Sequence, residues 1–118
     1  MPEVARKAAV DIVASPDGTP GVPCPNGQPK CDTPSIQATA AGSSDVIIEG
    51  IGVVREGDAM LAHPYVPCGC PSHAPPLTVF SAHVYANGLR IGRLGDAYGG
   101  DHVIISGSST VIDGSPQA

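Results

Sequence analysis

An internal repeat of 18 residues constrains this chain more than any other feature of its sequence. Residues 42–59 read GSSDVIIEGIGVVREGDA and residues 80–97 read FSAHVYANGLRIGRLGDA, with Ser, Val, Gly and Arg recurring at the same places and Gly-Asp-Ala closing both. A repeat of this kind is one supersecondary unit that buries its apolar face only against its own copies, so the copies must pack together.

Each copy reads as a β-hairpin. Val46-Ile47-Ile48 and Val84-Tyr85-Ala86 are β-favouring runs, and they lead through Glu49-Gly50 and Asn87-Gly88 into second stretches that end at Arg55 and Arg93. Asn-Gly between two such runs is a strong hairpin signal, because both turn residues need positive φ. A partial third copy, residues 107–114 (GSSTVIDG), supplies only the front half of the unit. Val4-Ala5-Arg6-Lys7 resembles Val53-Val54-Arg55-Glu56 and Ile91-Gly92-Arg93-Leu94, with Ala8-Ala9 standing where the full copies have Gly-Asp. Residues 4–9 then complete the unit that 107–114 begin. The expected fold is all-β: short hairpin repeats in a single domain over residues 1–118, without helices because Gly and Pro interrupt every candidate window. A closed pseudo-threefold arrangement leaves no exposed sheet edge and brings three connecting loops out on one side.

Those connectors, roughly residues 10–41, 60–79 and 98–106, hold all four cysteines and three of the four histidines. Gly (15) and Pro (13) are abundant and Trp is absent, so the connectors lack the side chains for a core of their own, and a bound ion can replace it. The segment His63-Pro-Tyr-Val-Pro-Cys68-Gly-Cys70-Pro-Ser-His73 gathers imidazole and thiolate groups, the ligand types of tetrahedral zinc. His102 joins them only where all three connectors meet. Cys24, Cys31, Cys68 and His83 are alternates, although His83, aligned with Asp45 and Thr110 at a hairpin start, reads first as a polar turn residue. The same segments read without a metal give free thiols and ordinary loop histidines.

Composition excludes several functions. Six Lys and Arg in a chain of net charge −5 make no basic stripe for phosphates, so nucleic acid is not an expected partner. No apolar run approaches the ~20 residues of a spanning helix, and the opening residues lack the apolar core of a secretory signal. The expectation is synthesis in the cytoplasm, where cysteines are reduced thiols or metal ligands rather than disulfides. No Gly-rich phosphate loop or nucleophile elbow is present. The shared repeat position of Asp58 and Asp96 assigns them to turn-stabilising hydrogen bonds, and the chain is not expected to be an enzyme.

The order of these elements resembles the PAAR-repeat family, in which a short stretch ending in Arg is followed by Gly-Asp, a variable loop and Gly-Ser-x-x-Val. Here the elements are Val53-Val54-Arg55-Glu56-Gly57-Asp58, Ile91-Gly92-Arg93-Leu94-Gly95-Asp96, Gly42-Ser43 and Gly107-Ser108, without the literal Pro-Ala-Ala-Arg and with Phe80-Ser81 for one Gly-Ser, so the chain resembles a divergent member. The resemblance implies a β-rich cone whose base sits on a trimeric spike protein, one cap per trimer, and whose apex loops hold structural zinc. Carried over by position, His63 and His102 follow the two Gly-Asp pairs as ligands, and Cys70 and His73 complete the expected set. It implies a tip that sharpens the spike of a type VI secretion system or contractile phage tail for membrane piercing. Such a tip is secreted with the spike or sits on the virion tail, contacts the target membrane transiently, and takes any effector cargo noncovalently. A small zinc-dependent hydrolase and a metal-free adaptor are the rival readings.

Overall fold

The computed structural model describes residues 2–18 and 23–114. Ten short strands make it all-β: β1 (Ile12–Ala14), β2 (Ile36–Ala38), β3 (Ile47–Ile48), β4 (Ile51–Gly52), β5 (His63–Pro64), β6 (Ser72–His73), β7 (Tyr85–Ala86), β8 (Leu89–Arg90), β9 (Ala97–Tyr98) and β10 (His102–Ile104). Among the described residues there is no α-helix, only one 3-10 turn at Pro25–Gly27.

β3–β4 and β7–β8 are tight antiparallel hairpins. Their turns place Glu49 and Gly50 at φ 52° and 80°, and Asn87 and Gly88 at φ 56° and 78°. Two successive left-handed residues match the twist of paired strands. The chain ends meet in the same pattern. Val4 N–H donates to Val111 O (3.0 Å) and Ser108 N–H to Val4 O (2.9 Å), as Val53 donates to Val46 and Ser43 to Val53, and as Ile91 donates to Val84 and Ser81 to Ile91. Pro2 O accepts from Asp113 N–H at 3.0 Å.

The three copies are locked by a cycle of backbone bonds. Ala5 N–H donates to Gly92 O (3.0 Å), Gly92 N–H to Val54 O (2.8 Å) and Val54 N–H to Ala5 O (3.1 Å). Three peptide groups so linked surround a common axis, and space there is short: a Cβ added at Gly92 would come within 2.8 Å of Leu77 Cδ2. Side chains repeat the cycle. Arg6, Arg55 and Arg93 each donate their backbone N–H and Nε–H to one carboxylate oxygen, of Asp11, Asp58 and Asp96 respectively, at 2.7–3.0 Å. Asp11 therefore takes the place of the Gly-Asp aspartate. It stands five residues after its arginine instead of three, with Ala8 and Ala9 in left-handed conformations in between (φ 59° and 65°). The buried hydroxyls of Ser43, Ser81 and Ser108 each accept two backbone N–H bonds from the residues that follow them.

The connectors expected as loops carry short β-ribbons. β2, β1, β10 and β9 form one sheet in that order. The bridges Leu77↔Tyr98, Ala59↔Pro76 and Thr39↔Met60 carry the pairing from β9 back to β2. Followed around, the pairs return to their start, so the peptide groups of these Pro- and Ala-rich stretches are satisfied by each other. Alternation along the ribbons turns Val13, Met60, Leu77, Tyr98 and Ile104 inward, where they join Ala5 and Val54 as the main core. A second cluster, Val4, Val53, Ala86 and Ile91, lies between the hairpins.

Candidate metal centre

Where the ribbons end, four side chains from three connectors converge. Asp17 lies beyond β1, His63 and His73 are Cα partners in β5–β6, and His102 opens β10. Asp17 Oδ2 stands 2.9 Å from His63 Nε2, 2.7 Å from His73 Nε2 and 2.7 Å from His102 Nε2. His63 Nε2 is 3.1 Å from His102 Nε2 and 3.0 Å from His73 Nε2. His63 and His102 are buried, and Asp17 and His73 are partly exposed.

Two of the rings are oriented from behind. His63 Nδ1 is 2.9 Å from Leu61 O and His102 Nδ1 is 2.8 Å from Gly99 O. A carbonyl oxygen only accepts, so each Nδ1 carries the hydrogen, and in the neutral ring Nε2 keeps a lone pair aimed at the cluster. This is the arrangement that outer partners impose on metal-binding histidines. Asp17 is set by its own turn, donating its backbone N–H to Ser15 Oγ (3.0 Å). Without a metal, an Nε2 that carries a hydrogen donates to Asp17 Oδ2 instead: burial pushes the carboxyl up, but such hydrogen bonds from the three imidazoles outweigh that and hold it at about 2.

Lone pairs and a carboxylate oxygen this close repel one another unless positive charge lies among them. The four atoms all lie within 4.8 Å of one another, and the five contacts given above span 2.7–3.1 Å. Ligands at the ~2.0–2.1 Å of zinc–nitrogen bonds have tetrahedral edges of about 3.3 Å, only a few tenths of an ångström longer than the distances here. Three imidazole nitrogens and one carboxylate oxygen suit a divalent transition ion. The cluster can hold a metal ion.

His63, His73 and His102 are thus brought together as the sequence suggested, and Cys70 is not. Cys70 is bonded to Cys31, and Cys24 to Cys68, with Cα separations of 5.6 Å in both pairs. The expectation of thiols or thiolate ligands is corrected accordingly for all four cysteines. The cause is local: residues 29–31 run antiparallel to 67–69, through the Lys30↔Cys68 bridge and bonds from Cys31 N–H to Pro67 O and from Gly69 N–H to Pro29 O (both 2.9 Å). That pairing lays the two cysteine-bearing stretches side by side, with Cys24 just before the 3-10 turn and Cys70 just past the bridge at φ 51°. His83 is exposed at its hairpin start, its N–H on Ser81 Oγ, away from the cluster.

Asp17 is the ligand that sequence reading missed. It follows Asp11 by six positions, as His102 follows Asp96 by six and His63 follows Asp58 by five. Placing Asp11 as the third arginine partner would have pointed to it. No protein-family model matches the chain, and no curated protein matches it.

Proposed function

We propose that this chain is a zinc-tied, cone-shaped tip that caps the trimeric central spike of a contractile injection machine, a type VI secretion system or a phage tail, and sharpens it for membrane piercing. The observation that carries this reading is the threefold repetition of backbone and side-chain bonds within one chain. A chain with such a face can meet three identical subunits equivalently, which a surface without internal repetition cannot do.

The face itself is available at the hairpin end. Val46, Val84 and Val111, with Val4, Val53 and Ile91 behind them, line an apolar cavity of about 310 Å³. Ile47, Tyr85 and Ile112, at one repeat position, stand about half exposed nearby (48%, 55% and 52%). Three equivalent apolar side chains left in water mark an interaction surface. The molecule is elongated, 50 × 24 × 22 Å, with the candidate metal centre on the ribbons that lead away from the hairpins.

Zinc supports the shape without chemistry. All four positions of a tetrahedral ion are filled by protein side chains in this reading, which suits a structural site and leaves none for substrate. The ion ties three ribbons whose enclosed core is small, and the tip transmits the force of contraction as a rigid body. Cargo is bound noncovalently and the membrane is met only in passing.

Triple substitution Ile47→Glu, Tyr85→Glu, Ile112→Glu tests the reading. It should abolish co-purification with the trimeric spike protein while leaving zinc content and thermal unfolding as in the parent. Undiminished spike binding by the substituted chain would contradict it.

A further inference from the structure

Both disulfides join the same two stretches of chain, and those stretches carry ligands. Cys24 and Cys31 lie on the connector that supplies Asp17, and Cys68 and Cys70 lie in the turn between His63 and His73. Three of the four members of the cluster therefore sit on the two connectors that the disulfides staple together. We propose that this pair of disulfides is a redox lock on the metal centre: the reduced chain exchanges its ion readily, and oxidation closes the site around it. The inference rests on reading the cluster as a zinc site and adds its regulation.

The ribbon explains why a staple is needed there. Beyond the His63↔His73 and Pro64↔Ser72 pairs, the turn holds itself through Tyr65 N–H to Pro71 O (3.2 Å), and Pro67 and Pro71 have no N–H to give. Its other backbone anchors are those to Pro29 and Cys31 on the opposite stretch. His63 is buried and braced by Leu61 O, whereas the His73 side chain is 31% exposed and has the Tyr65 ring 4.5 Å away on the same turn. His73 is the ligand with most room to leave. Loosening residues 65–71 acts first on that ring, while His102, on a ribbon without cysteines, stays in place.

The redox step leaves the ligands chemically unchanged. Each disulfide takes two electrons from a phosphine reductant and two protons. The phosphine gains the oxygen of water and becomes its oxide, and two thiols are released. Reoxidation by a small-molecule disulfide returns the bond through thiolate exchange.

The test uses the full chain loaded with zinc, a chromophoric chelator, and a phosphine reductant that does not itself compete for the ion. Release from the reduced chain should be faster on the order of tenfold, the scale seen when outer supports of a metal ligand are lost, and reoxidation should restore the slow rate. Oxidised His73→Ala should release zinc as quickly as the reduced parent and respond no further to reductant. Because full reduction can unfold a small domain, two one-staple variants, Cys24→Ser/Cys68→Ser and Cys31→Ser/Cys70→Ser, are measured without reductant and should fall between the extremes. Equal release rates for oxidised parent, reduced parent and both variants, at one zinc per chain, overturn the lock alone. A reduced chain that takes up a second zinc overturns it too, since the thiolates are then ligands. No zinc uptake in either state overturns both the lock and the zinc reading.

Discussion

At the scale of single residues, Asp17 carries more of the account than any position the sequence pointed to. Its carboxyl, held at about 2 by three imidazoles, is ionised well below the usual range. A depressed folded value stabilises above the unfolded value of ~3.9 and loses that effect as pH falls through the folded one. Metal-free protein should therefore lose thermal stability between about pH 4 and pH 2, and Asp17→Asn should flatten that limb. A melting curve series across that range checks both. Tyr98 gives a second prediction. Its ring is in the core and its hydroxyl, buried among the described residues, has no hydrogen-bond partner there, while burial and the charges of Asp58 and Asp11 push its ionisation upward. Removing an unpaired buried hydroxyl relieves a desolvation penalty, so Tyr98→Phe should stabilise by about 1 kcal/mol, read as a raised melting temperature. The three histidines were legible because the hairpins left them out. Asp17 was not, because two extra residues between Arg6 and Asp11 hide the third copy of the aspartate from which it is counted.

At the scale of elements, the hairpins were legible and the ribbons were not. Asn87-Gly88 and Glu49-Gly50 declare their turns through residues suited to, or forced into, positive φ. Val13, Met60, Leu77 and Ile104 alternate inward on ribbons dense in Ala, Pro and Ser, where too few large residues stand in sequence to show a period of two. The cysteine pairing was hidden for a different reason: four cysteines allow three connectivities, and nothing local in the sequence shows that residues 29–31 run beside 67–69. The repeated serines allow a test of element equivalence. Each hydroxyl accepts two backbone N–H bonds at the entry to its hairpin. Ser43→Ala, Ser81→Ala and Ser108→Ala each remove the acceptor of two backbone N–H groups and should each cost about 0.5–1.5 kcal/mol. Denaturant titrations giving three similar losses would agree with one structural role for all three, and one neutral substitution would break the equivalence.

At the scale of the whole molecule, one chain supplies what three chains supply in a symmetric trimer, and its two ends have to meet to do so. Leu94 N–H donates to Glu3 O (2.7 Å), as Lys7 donates to Gly52 O and Glu56 to Arg90 O, so the N-terminal stretch is one side of the cycle. Deleting residues 1–7 removes Ala5 from the axial ring and Arg6 from its pairing with Asp11, and it opens a strand edge. The truncated chain should aggregate or lose cooperative unfolding. A truncated chain that stays monomeric and melts like the parent would show that the ring does not hold the fold together. The same closure underlies the proposed role, since a cap with threefold chemistry in one chain exhausts the end of a trimer by itself. The mass of the complex reconstituted with the trimeric spike protein, measured under native conditions, tests this most directly. One copy of this chain per spike trimer is the predicted result, and three copies per trimer, or no complex at all, would contradict it.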